Sequence, residues 1–161
     1  RTRAELLNEL AVLLGGRTAE MIVFGEMSTG AQNDLLRATD IARAMVNELG
    51  MSEAVGPVNH EGRRRSTFLD QPFMPERGVY AEDTARVIDA EVRRFVSGAE
   101  ETARTLLTDR RQALDAVADR LLEKETIEGD ELRAILTESG VPMPSDQPSD
   151  APAGEIAGPV I

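Results

Sequence analysis

Small and apolar residues recur at intervals of three and four along the second half of the chain. The stripe consists of Ala81, Ala85, Ile88, Val92, Phe95, Ala99, Ala103 and Leu106. Because an α-helix turns once in about 3.6 residues, this spacing predicts one long helix that presents a continuous face to a core. Aromatic residues make up only 3% of the chain, and it has no cysteine. The sequence therefore predicts an all-α fold, a bundle of helices packed through Leu, Ile, Val, Ala and Met.

Glycines and polar caps predict the helices of the first half. The first helix begins near Thr2 and is expected to end at Gly15-Gly16, a pair suited to a left-handed cap. A short helix over residues 17–24 would follow. The next helix is predicted to begin at Thr29, with the Thr29 hydroxyl and the Gln32 side chain forming a capping box.

The rest of the chain is predicted to hold two further helices, a long loop and a tail. After a break near Thr108, helical spacing resumes at Leu114 and again at Leu132. Residues 57–79 keep no helical period and contain several prolines, which predicts a long loop. Loops of this length are usually functional or disordered, and the apolar residues of this one favour docking onto the domain or a neighbouring subunit over disorder. Residues 140–161 are rich in proline and contain no basic residue, which predicts a disordered tail. Residues 1–139 would then form one mainly helical domain.

The charge of the chain excludes some partners. The formal net charge is −11 at pH 7, with 29 acidic against 18 basic residues. A nucleic-acid surface needs a basic stripe to neutralise phosphates, so we expect no nucleic acid as a partner. Anionic lipid would also repel such a chain, and no apolar run approaches the length of a membrane span. We therefore expect no direct membrane contact by this segment.

One acid stands out because it lies on the same helical stripe as apolar residues. The stripe runs through Asp34, Ala38, Ile41, Met45 and Leu49. A buried carboxylate is costly unless it is paired, hydrogen-bonded or bound to a metal. Alternatively, Asp34 lies near the edge of the stripe and favours the positive end of the helix. The spacing alone leaves both interpretations open.

Three motifs in the first half are similar to those of a known family. They are Leu14-Gly15-Gly16-Arg17-Thr18-Ala19-Glu20, Val23-Phe24-Gly25 and Ser28-Thr29-Gly30-Ala31-Gln32-Asn33-Asp34-Leu35. Together with Asp83-Thr84-Ala85-Arg86 and Leu121-Leu122-Glu123-Lys124-Glu125-Thr126-Ile127, they resemble the C-terminal part of the peptidase domain of FtsH-type membrane-anchored AAA+ ATP-dependent zinc metalloproteases. The resemblance extends from Leu6 to about Leu136 in family order. It implies a helical peptidase domain of the FtsH type.

The resemblance implies a role for Asp34. In this family the aspartate of the T-G-A-x-N-D-L motif is the third protein ligand to zinc, and that residue is Asp34 here. The other two ligands are histidines of an H-E-x-x-H helix, whose glutamate activates water. This chain lacks that motif and has a single histidine, His60. We therefore expect no catalytic residue in this chain and no activity from the chain alone.

The resemblance also implies four residues that would hold the ligand Asp34 in place, namely Thr29, Asn33, Glu20 and Arg17. Thr29 and Asn33 would position Asp34. Glu20 would contribute a hydrogen bond or a salt bridge with Arg17, and direct contact of Glu20 with zinc is the alternative.

The resemblance also implies what a complete protein would contain. Upstream of Arg1 we expect a transmembrane anchor, an ATP-driven unfolding module and the H-E-x-x-H helix. The implied cofactors are zinc and ATP, and the implied assembly is a homo-hexamer. It would degrade unfolded or membrane proteins for protein quality control, at the cytoplasmic side of the bacterial inner membrane. The alternative is a helical scaffold that has lost its chemistry and retains assembly surfaces.

Overall fold

The computed structural model of the chain describes residues 1–60 and 82–143, and most of these residues are helical. These residues form five α-helices and no strand. The helices are α1 (Arg3–Phe24), α2 (Gln32–Asn47), α3 (Glu82–Asp109), α4 (Arg111–Lys124) and α5 (Gly129–Glu138), with a short 3-10 helix at Thr29–Ala31 before α2. The prediction of an all-α fold is confirmed. None of the described helices combines the length and the apolar character that a membrane-spanning helix requires.

The chain divides into two compact units, Arg1–Asp109 and Arg110–Ile161. In the first unit, α1, α2 and α3 pack against one another around one core. The buried residues of this core are Leu6, Leu10, Leu14, Ala38, Ala42, Met45, Val46, Ile88, Val92, Phe95 and Ala99. Alanines line α2 and part of α3, so the helices can approach closely while the leucines of α1 fill the space between them. The middle of the predicted stripe on α3, from Ile88 to Ala99, is thus part of the core. Leu106 at its end is 48% exposed, and Ala81 at its start lies outside the described residues.

In the second unit, α4 and α5 contact each other. Arg120 and Lys124 of α4 both pair with Glu131 of α5, and the Lys124 Nζ lies 2.9 Å from the Glu131 Oε1. Among the described residues of this unit only Ala113 is a buried apolar residue, and Leu122 is 83% exposed. Two of the segments predicted from sequence lie mostly outside the described ranges. They are the loop at 57–79, of which residues 57–60 are described, and the tail at 140–161, of which residues 140–143 are described.

The prediction that the first helix ends at Gly15-Gly16 is wrong. Helix α1 continues without a break to Phe24. Leu14 and Thr18 are both buried, and the Thr18 hydroxyl donates a hydrogen bond to the Leu14 carbonyl at 2.8 Å. Packing on both sides of the glycine pair therefore outweighs its low helix propensity. The left-handed cap lies instead at Gly25, whose φ is +73° and whose N–H donates to the Met21 carbonyl.

Two alanine substitutions test this position of the helix end. Gly16 lies in the helix interior with open space around the position of a Cβ atom. We expect Gly16→Ala to leave the free energy of unfolding unchanged or raise it by up to about 1 kcal/mol. Gly25→Ala should lower it by about 1 kcal/mol, because alanine resists a positive φ. Urea unfolding of both variants measures the difference, and a destabilising Gly16→Ala would contradict a continuous α1.

Candidate metal-ligand site

Asp34 lies in the first turn of α2, and its side chain is exposed. Helix α2 begins at Gln32 and not at the predicted Thr29, which lies in the preceding 3-10 helix. Further along the stripe Ala38 and Met45 are buried, whereas Leu49 is 52% exposed. Both ends of the stripe are thus exposed, and Asp34 lies at the end near the positive end of the helix, as the second interpretation of its spacing has it. No other residue in the described ranges forms a hydrogen bond or ion pair with its carboxylate.

The turn before α2 is capped by Ser28 and not by Thr29. The Ser28 hydroxyl accepts a hydrogen bond from the Gly30 N–H at 3.2 Å. Thr29 already belongs to the 3-10 helix, whereas Ser28 has the extended backbone typical of an N-cap. The predicted capping box between Thr29 and Gln32 is therefore absent from this turn. Sequence reasoning missed Ser28 because serine and threonine stand side by side here, and either can cap a helix.

Glu20 binds Ser28 through both carboxylate oxygens. Its Oε2 accepts a hydrogen bond from the Ser28 N–H at 3.0 Å, and its Oε1 accepts one from the Ser28 hydroxyl at 2.8 Å. These bonds lower the pKa of Glu20, the backbone N–H most strongly, and the charge of Arg17 adds a smaller effect in the same direction. The ion pair of Arg17 is with Glu100, at 3.7 Å. Glu20 therefore connects α1 to the turn that precedes Asp34.

The other two predicted supports lie near Asp34 without a contact to it. Thr29 and Asn33 are both exposed, and no hydrogen bond joins either side chain to Asp34 within the described part of the chain. His60 lies in the segment that follows α2, where its N–H donates to the Asn47 carbonyl at 2.7 Å.

The described residues can supply one metal ligand but not a complete set. Within residues 1–60 and 82–143, no three His, Cys, Asp or Glu side chains are grouped so as to hold a metal ion. A catalytic zinc site usually takes three protein ligands. The carboxylate of Asp34 is exposed and has no protein partner among the described residues, so it could complete a set of metal ligands whose other members lie outside them. Exposure leaves the Asp34 carboxylate accessible to a metal, as it does that of Asp40 on the same helix, and the motif around Asp34 is what distinguishes the two.

A second polar cluster lies at the edge of the core of the first unit, where it joins Ser52, Glu91 and Arg94. Ser52 is buried and donates a hydrogen bond to the Glu91 Oε2 at 2.6 Å. Arg94 donates to both oxygens of Glu91, at 2.7 and 2.8 Å, and its guanidinium lies 4.7 Å from the centre of the Phe95 ring. The bonds from Arg94 and then from Ser52 lower the pKa of Glu91 to about 2. The hydrogen bond between Ser52 and Glu91 therefore joins the segment after α2 to α3.

Comparison with known proteins assigns the chain to a family. The model of peptidase family M41 matches residues 1–135. The ATP-dependent zinc metalloprotease FtsH of Ralstonia pickettii is 46% identical over 147 residues, which are 91% of this chain and 21% of that protein. The proteins of the same name from Syntrophobacter fumaroxidans and Thermotoga maritima are 50% and 48% identical, each over 85% of this chain and over 21% and 22% of their own lengths. The chain thus spans about a fifth of the length of these curated relatives. With motifs, helical fold and family match in agreement, the chain belongs to peptidase family M41.

Proposed function

We propose that this chain is the C-terminal part of an ATP-dependent zinc metalloendopeptidase, and that Asp34 is the third protein ligand to its zinc. The observation that supports this proposal most directly is the position of Asp34. Its side chain is exposed in the first turn of α2, and its carboxylate has no partner among the described residues. The T-G-A-x-N-D-L motif around it and the similar proteins named as ATP-dependent zinc metalloproteases support the same role.

The residues of this chain would hold Asp34 in place as a zinc ligand, and none of them would transfer a proton in the reaction. Zinc bound at such a site supplies the Lewis acidity that peptide hydrolysis requires. Asp34 would contribute one carboxylate oxygen and one negative charge. Its helix is anchored by Ala42, Met45 and Val46 in the core of the first unit, so the ligand is carried on a rigid element. The two histidine ligands and the glutamate that activates water would come from an H-E-x-x-H helix outside this chain.

The proposal includes the partners and the location that the family resemblance implies. We propose that the full-length protein assembles as a homo-hexamer, uses ATP at a AAA+ module and degrades unfolded or membrane proteins. It would be anchored at the bacterial inner membrane, with this chain on the cytoplasmic side. The net charge of −11 is consistent with a segment that contacts neither nucleic acid nor anionic lipid.

Removal of the metal tests the proposed function. In the full-length protein that contains this chain, a zinc chelator should abolish ATP-dependent proteolysis of an unfolded substrate, and added zinc should restore it. This chain alone should show no proteolysis and no stoichiometric zinc at micromolar concentrations, since one carboxylate is too few ligands. Proteolysis that survives complete removal of zinc would contradict the proposal. Assembly without any zinc-dependent proteolysis would favour a scaffold.

A further inference from the structure

We propose that Glu20 is a positioning residue, which sets the place of Asp34 through a hydrogen-bonded connection from α1 to the start of α2. This inference rests on the proposed role of Asp34 as a zinc ligand. It assigns Glu20 no contact with zinc and gives Ser28 a part that sequence reasoning did not foresee.

The connection is continuous in the structure. Glu20 accepts hydrogen bonds from the Ser28 N–H and hydroxyl at 3.0 and 2.8 Å. The Ser28 hydroxyl in turn accepts from the Gly30 N–H at 3.2 Å. The Gln32 N–H then donates to the Thr29 carbonyl, and Gln32 is the first residue of α2. Asp34 follows two residues later in the same helical turn.

Hydrogen bonds must fix this turn because packing does not. None of the three residues of the 3-10 helix is buried, and Ser28 is exposed as well. At the other end of the connection, Glu20 lies in α1, two residues after the buried Thr18, and this helix is held in the core through Leu6, Leu10 and Leu14. The carboxylate therefore joins a rigid helix to a turn that has no apolar anchor of its own.

The chemistry of the connection requires an ionised carboxylate. Both donors belong to one residue, and each carboxylate oxygen accepts one of them. An ionised carboxylate offers acceptors only, whereas a glutamine amide offers one acceptor oxygen and one donor nitrogen. The two bonds from Ser28 favour the ionised form, which lowers the pKa of Glu20. Glutamine at this position could satisfy the Ser28 N–H or the hydroxyl, but not both in the same way.

The first test uses this chain by itself and does not involve zinc. In Glu20→Ala, we expect the amide hydrogens of Ser28 and Gly30 to exchange with solvent about tenfold faster or more, measured by NMR. Glu26→Ala is the matched control, because Glu26 is exposed in the same turn and has no hydrogen bond to any described residue. Unchanged exchange in Glu20→Ala would show that the connection does not hold the turn.

The second test measures the zinc dissociation constant of the folded full-length protein. Loss of a group hydrogen-bonded directly to a metal ligand typically weakens metal binding by about 10–100-fold. Glu20 and Ser28 act on Asp34 only through the turn, so we expect the low end of that range, about tenfold, for Glu20→Ala and Ser28→Ala. Their double variant should weaken zinc binding by less than the product of the two single effects, because Glu20→Ala and Ser28→Ala both remove the bond between the Ser28 hydroxyl and Glu20. Glu20→Gln should fall between Glu20→Ala and the unsubstituted protein, and Glu26→Ala should bind normally.

A core variant separates positioning from general stability. Leu10→Ala removes a fully buried side chain of α1, so it should lower the melting temperature without weakening zinc binding at temperatures where the protein is folded. Asp34→Ala separates the two proposals. If Asp34→Ala binds zinc normally, the proposed ligand is wrong. If Asp34→Ala loses zinc while Glu20→Ala and Ser28→Ala keep the normal dissociation constant, the ligand stands and the positioning role is wrong.

Discussion

Replacing Asp34 with alanine in the full-length protein should lower zinc-dependent proteolysis by at least about 100-fold. Loss of a group hydrogen-bonded to a metal ligand already costs about 10–100-fold, and loss of a direct ligand should cost at least the upper end of that range. The fold should remain intact, because the Asp34 side chain is exposed and makes no hydrogen bond or ion pair with the other described residues. Initial rates of degradation of an unfolded substrate, with zinc content measured in the same samples, give the effect.

Asp40→Ala is the matched control for this substitution. Asp40 is also an exposed aspartate of α2 and lies less than two turns further along the helix. Its removal changes the net charge by the same amount, so it should leave both proteolysis and zinc content within about twofold of the unsubstituted protein. Equal activities of the Asp34→Ala and Asp40→Ala variants would contradict the assignment of Asp34.

Replacing Glu91 with alanine should lower the free energy of unfolding by about 2–3 kcal/mol. The substitution removes three hydrogen bonds to a carboxylate that is 10% exposed, and leaves the buried Ser52 hydroxyl without its acceptor. Breaking a fully buried ion pair lowers the free energy of unfolding by about 3–5 kcal/mol. We expect a smaller loss here, because Arg94 is 53% exposed and water can solvate it again. Denaturant unfolding of this chain measures the change.

Glu101 provides the control on the same helix. Like Glu91, it lies three residues before an arginine, but its ion pair with Arg104 is exposed, with a distance of 3.5 Å. Exposed pairs of this kind contribute little, so Glu101→Ala should change the free energy of unfolding by less than about 0.5 kcal/mol. Similar losses in the two variants would show that burial and the bond from Ser52 do not matter.

The pH dependence of stability should reveal the same carboxylate. The pKa of Glu91 falls from its ordinary value of 4.5 to about 2 in the folded chain. A lowered folded pKa stabilises the fold above the unfolded value, and this contribution is lost as the pH falls from about 5 towards 2. The stability difference between the unsubstituted chain and Glu91→Ala should therefore shrink over that range. A difference that stays constant down to pH 2 would contradict the lowered pKa.

The long helix α3 could be predicted from sequence because its register is repeated many times. Residues Ile88, Val92, Phe95 and Ala99 are all buried, as their spacing indicates. The helix end at Gly15-Gly16 could not be predicted correctly, because the buried contacts of Leu14 and Thr18 on either side decide it. Local propensity favours a break there, and tertiary packing overrides it.

The candidate site could be predicted from residue spacing less well than the helices could. An exposed ligand such as Asp34 has no periodic signal of its own, so only the motif around it indicated its role. The bonds of Glu20 to Ser28 depend on how the chain turns between α1 and α2, which spacing does not specify. Glu91 did carry a signal that was missed, since it lies on the buried face of α3 between Ile88 and Val92 and precedes Arg94 by three residues.

Anomalous diffraction at the zinc absorption edge, from crystals of the full-length protein, tests the central claim most directly. We expect one zinc per chain, with a carboxylate oxygen of Asp34 about 2.0–2.2 Å from the metal and Glu20 bound to Ser28 rather than to zinc. A zinc ion held by Glu20, or by residues that do not include Asp34, would contradict the account.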